Sequence, residues 1–236
     1  MLKILTLAFV LSAAPAWPQF QAEEINASQS DPQNFSLDER TIAIEKVGTY
    51  KPRPRAPREE AGAPDPLPEA GDIVNTGLDL WKIIVDNKPV ADVHGQYAVA
   101  LPKGVGHWEQ LSGWKPPEGT VYTLTAKNGY GFTVVAARYQ VLRTYGGSYK
   151  GRGRYLTAVA VEPLRVEVAW GYRLTLEAAI PPSSVVNAGS AENPVAGMLA
   201  TIAWRISTPL KVEQGQSLYY LQGDGAFREV GSPFNE

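Results

Sequence analysis

Strict alternation is the pattern that most restricts how this chain can fold. Between Arg165 and Glu177, residues Val166, Val168, Trp170, Tyr172, Leu174 and Leu176 share one parity. Arg165, Glu167, Ala169, Gly171, Arg173, Thr175 and Glu177 share the other. Successive side chains of a strand point to opposite faces, so the stretch is expected to be one half-buried strand, apolar on one side and wet on the other. Shorter period-two runs lie at 91–101, 120–127, 132–143, 155–161, 199–207 and 217–222. Asn128-Gly129 between two of them is a tight-hairpin signal. Tyr145-Gly146-Gly147 and Glu162-Pro163 are expected to mark further reversals.

These runs predict a mainly β fold, an antiparallel β-sandwich of about seven or eight strands. An outer-membrane barrel also alternates. Uneven strand lengths, charged positions on the best strand and an end that is not strand-like (residues 232–236) argue against it. One flanking amphipathic helix is expected over 72–86. Its apolar residues Ile73, Val74, Leu78, Trp81, Ile84 and Val85 fall at near-helical spacing, with Asp72 suited to the N-cap and Asn87 to the stop.

Three segments divide the chain. Residues 1–16 look like a secretory leader, with Lys3, an apolar run from Ile4 to Leu11 and an Ala14-Pro15-Ala16 site; cleavage is expected before Trp17. Residues 17–71 carry six basic against ten acidic residues, a net of −4, and six prolines fall within 51–68. Proline removes a backbone donor and holds its predecessor extended, so this segment is expected to be a mostly disordered tether. A short strand or helix over 37–47 is the exception. Residues 72–236 form the expected helix-plus-sandwich domain. Nothing approaches about 18 continuous apolar residues, so no spanning helix is expected.

Composition removes several chemistries. With no cysteine there is no disulfide, thiol nucleophile or Cys-based metal site. A formal net charge of −2 argues against bulk binding to nucleic acid. The two histidines, His94 and His107, belong to no metal-binding or nucleophile motif. Glu167 and Glu177 stand too far apart along a strand for a glycosidase-like pair. No catalytic residue, metal or cofactor is therefore expected.

The most suggestive stretch runs from Tyr145 to Tyr155. It sets Lys150, Arg152 and Arg154 among glycines, brackets them with Tyr145, Tyr149 and Tyr155, and contains no acid. Guanidinium groups grip phosphate and carboxylate bidentately, and tyrosine offers a stacking face. Trp108 and Trp114, in a turn-rich loop, are the second candidates, either stacking on a ligand or capping the sandwich end. The expected function is an exported, non-enzymatic module binding an anionic envelope component (glycan, cell-wall polymer or lipid headgroup) or a protein partner. Periplasmic, outer-membrane-associated and extracellular locations stay open, as does peripheral membrane contact. The alternative is a membrane-active protein that inserts helix 72–86 and its loop aromatics into lipid.

Overall fold

A computed structural model describes residues 20–50, 73–76, 78–90 and 97–231. Residues 1–16, where a leader is expected, and the whole Pro-rich stretch 51–68 lie outside the described residues. Residues 20–50, assigned above to the tether, fold onto the body. They form helix α1 (Ala22–Ser30), a single turn α2 (Pro32–Phe35) and strand β1 (Leu37–Tyr50). The apolar residues Phe35, Leu37 and Ile42 explain the difference, because each is buried against the sheets.

The rest is almost wholly strand: β2 (Ile73–Thr76), β3 (Leu78–Val85), β4 (Lys88–Pro89), β5 (Ala98–Pro102), β6 (Glu118–Asn128), β7 (Thr133–Tyr149), β8 (Arg152–Val168), β9 (Arg173–Ile180), β10 (Val186–Asn187), β11 (Ala196–Ser207), β12 (Val212–Gln222) and β13 (Phe227–Gly231). One sheet runs β1-β6-β7-β8-β5-β2. The other runs β13-β12-β11-β9-β3-β4, with β10 on β11. All pairings between these strands are antiparallel. The sheets are open-edged and bury a shared core, so the expected antiparallel sandwich is what the chain forms. Leu124, Ala137, Tyr139, Val141 and Val161 enter the core from the first sheet. Leu174, Leu176, Ile202, Tyr219 and Leu221 enter from the second, all fully buried.

Residues 73–76 and 78–85 are not a helix. They form β2 in the first sheet and β3 in the second, where β3 pairs with β9. The run Ile83-Ile84-Val85 favours extended backbone, and the open edge of β9 supplies the hydrogen bonds that settle the choice. Asp86 and Asn87, at φ 45° and 70°, turn the chain into β4. Asn87 does not stop a helix. Its side chain extends the sheet by donating to the Tyr172 carbonyl at 2.8 Å and accepting from the Leu174 N–H at 2.6 Å.

The longest alternating run is also not one strand. It ends β8, turns at 169–172 and begins β9 on the opposite sheet. Gly171 at φ +81° permits the turn, and a Cβ there would sit 2.3 Å from the Phe35 ring. The apolar parity survives the turn, because each half faces the same core from a different side. Trp170 is the exception and stands 57% exposed. Glu162-Pro163 and Tyr145-Gly146-Gly147 do not reverse the chain either. Both sit within the 17-residue strands β7 and β8, where register shifts absorb them as bulges. Asn128-Gly129 does open a reversal. It is a wider turn in which the Asn128 N–H donates to the Phe132 carbonyl at 2.9 Å.

Candidate functional site

The β7–β8 hairpin ends in a two-residue turn. Tyr149 pairs with Arg152, while Lys150 (φ 50°) and Gly151 (φ 77°) occupy the two positive-φ positions that a right-twisted hairpin favours. Lys150, Arg152 and Arg154 are exposed at this tip, and none of them forms an ion pair among the described residues.

Three segments hold the tip through its backbone. On one side, Ser112 and Ser148 exchange backbone hydrogen bonds at 3.0 and 2.8 Å, and the Lys115 N–H donates to the Tyr145 carbonyl at 2.8 Å. On the other side, the Arg154 N–H donates to the Pro194 carbonyl at 2.8 Å and the Gly153 N–H to Asn193 Oδ1 at 3.0 Å. From a third direction, the Gly146 N–H donates to the Gly223 carbonyl at 2.9 Å. Gly223 lies so close to Arg154 that an added Cβ would stand 2.2 Å from the Arg154 carbonyl oxygen. The long 181–194 connection, notable in sequence only for its length, thus supplies part of the clamp.

The aromatic residues divide differently from the expectation. Tyr149 and Tyr155 are buried in the core and offer no stacking face, and Tyr145 is half-buried. Burial pushes the Tyr155 hydroxyl above its ordinary pKa. Lys150 Nζ lies 5.3 Å from the Tyr149 ring centre, so the lysine covers the ring. Trp108 and Trp114 do join the hairpin, as a cap. Trp114 Nε1 donates to the Trp108 carbonyl at 3.0 Å, and its indole lies against Gly147, where a Cβ would stand 2.4 Å from the ring. Both indoles are half-buried.

Below this cap lies a buried cation, Arg143, which is 4% exposed. It donates to Glu118 at 3.0 Å and Thr120 at 3.1 Å and stacks 4.5 Å from the Phe227 ring centre, tying β6 and β7 to the second sheet. Beside it, the Tyr139 and Tyr219 hydroxyls meet at 3.0 Å, and desolvation raises both pKa values. Of the two histidines, His94 lies outside the described residues and His107 is exposed on its loop. Among the described residues no group of His, Asp or Glu side chains could hold a metal ion.

Sequence reasoning passed over a second feature. On the outer face of the second sheet, Thr175, Glu177, Ala203, Arg205, Gln214 and Gln216 line a cavity of about 580 Å³. Only the register of β9, β11 and β12 brings these residues together.

The fold and its two surface features define a β-sandwich with a cationic hairpin end and a polar trough on one sheet. No family model, curated protein or solved structure matches the chain.

Proposed function

We propose that this protein is an exported binding module that captures an anionic component of the cell envelope through Lys150, Arg152 and Arg154. The ligand chemistry is phosphate or carboxylate, whether carried by a glycan, a cell-wall polymer or a lipid headgroup. One observation carries the reading: three exposed cations without an ion-pair partner stand on a hairpin whose backbone is clamped from three sides. A positioned cation loses less freedom on binding than one on a mobile loop. Export rests on the leader-like residues 1–16.

The test is binding of the purified chain to polygalacturonate and to vesicles containing phosphatidylglycerol. Replacing all three cations with Ala is expected to lower binding at least tenfold, and added salt is expected to weaken the unaltered protein's binding. Unchanged binding in the triple variant overturns the reading.

Peripheral lipid attachment is the second reading, favoured by a different place. Tyr130, Phe132 and Trp170 are all more than half exposed on turns at the opposite end. The helix expected to insert is a pair of strands, so this reading rests on the aromatic turns alone. Vesicles of neutral lipid separate the two readings, because only the aromatic end would bind them.

A further inference from the structure

We propose that the trough on the outer face of the second sheet binds a neutral polyhydroxylated ligand, a saccharide, independently of the cationic hairpin. Glu177, Ala203 and Gln216 stand side by side on β9, β11 and β12, and the next outward row is Thr175, Arg205 and Gln214. Ala203 is the shortest of the six, so its longer neighbours wall a hollow around it. At about 580 Å³ the hollow falls within the roughly 300–1,000 Å³ of small-ligand sites.

The floor is firmly supported. Strand β11 is paired along both sides, and Leu176, Ile202 and Ile206 beneath it are fully buried. Trp204 packs against Gly215 from the core side, where a Cβ would stand 2.6 Å from the indole.

The donor set selects the ligand class. Glu177 is half-buried and forms no hydrogen bond or ion pair among the described residues. Arg205 donates from Nε to Gln214 Oε1 at 3.3 Å, which leaves the remaining guanidinium donors available. Exposed Lys82 on β3 stands across from Glu177 on its other side, so the face alternates cation, carboxylate and guanidinium, and a ligand of one charge sign meets a like charge beside each opposite one. A hydroxyl both donates and accepts, so neighbouring hydroxyls on a sugar ring can bridge carboxylate, guanidinium and amide together. An extended peptide fits less well, because it needs an open strand edge and the trough lies on a face whose backbone ladder is already paired.

Cellotetraose, maltotetraose and chitotetraose, titrated into the isotopically labelled full chain, form the test. At least one is expected to shift the backbone amide resonances of Ala203 and Gly215. Glu177→Gln is expected to weaken that binding about tenfold, and Ala203→Trp, which fills the hollow, to abolish it. The Lys150, Arg152 and Arg154 triple Ala variant is expected to bind the saccharide unchanged. The proposal is overturned if none of the three shifts these resonances, or if binding survives Glu177→Gln. Because Glu177 is on the outer face, Glu177→Gln remains a decisive test even if Ala203→Trp fails to fold.

Discussion

The two ends of the sandwich are ordered by opposite means. At the hairpin tip, hydrogen bonds from the backbone fix the chain, and the exposed Lys150, Arg152 and Arg154 have no ion-pair partners among the described residues. At the other end, side chains are consumed in holding the fold. Glu24, only 2% exposed, takes two hydrogen bonds from Arg173 at 2.8 and 2.9 Å, and Arg173 lies 5.0 Å from the Phe20 ring centre. The Tyr172 hydroxyl donates to the Asn34 carbonyl at 2.6 Å, and Phe35 meets Trp170 edge-on. A charge that is desolvated and paired secures structure, whereas one left in water on a fixed backbone remains available to a ligand.

Arg173→Met attacks this contrast where it is strongest. It leaves the Glu24 carboxylate buried without its partner, so a loss of about 3 kcal/mol is expected in urea unfolding. A loss below about 1 kcal/mol would mean that the pair contributes no more than a surface one.

Alkaline pH strains the same end through Tyr172, whose pKa burial pushes up to about 12. Its folded-state pKa exceeds the unfolded value near 10, so its contribution is complete below pH 10 and is lost as pH rises toward 12. Burial shifts Tyr122, Tyr139 and Tyr219 in the same direction, so stability is expected to fall further as pH rises above 10. Tyr172→Phe is expected to flatten part of this fall in a pH series of unfolding midpoints.

At the hairpin end, Gly147→Val drives a side chain into the Trp114 ring. It is expected to cost about 1–3 kcal/mol and to shift Trp fluorescence to the red as the indole enters water. The smallest effect is expected for the triple Ala variant of Lys150, Arg152 and Arg154, within about 0.5 kcal/mol of the unaltered protein. If removing those cations destabilised the fold as Arg173→Met does, the contrast between the ends would fail.

Much of the architecture is legible from local pattern. The alternation in β9, β11 and β12 matches their buried and exposed positions because the pleat is a property of neighbouring residues, whereas β6, β7 and β8 carry runs buried on both faces. The basic tip is equally plain, since Lys150, Arg152 and Arg154 crowd a few glycine-rich residues. The tyrosines beside them mislead, because a sequence does not say which side of a strand faces the other sheet.

The sequence by itself determined a cysteine-free, sheet-built body, its cationic hairpin and the Pro-rich break before it. Only tertiary structure decided that 73–76 and 78–85 would be strands, that the longest alternating run would turn between sheets at Gly171, and that Glu177 would stand beside Ala203 and Gln216. Periodicity is written between adjacent residues, and the choice of pairing partner is not. A strand's hydrogen bonds come from segments tens of residues away, and only their register brings a trough into being.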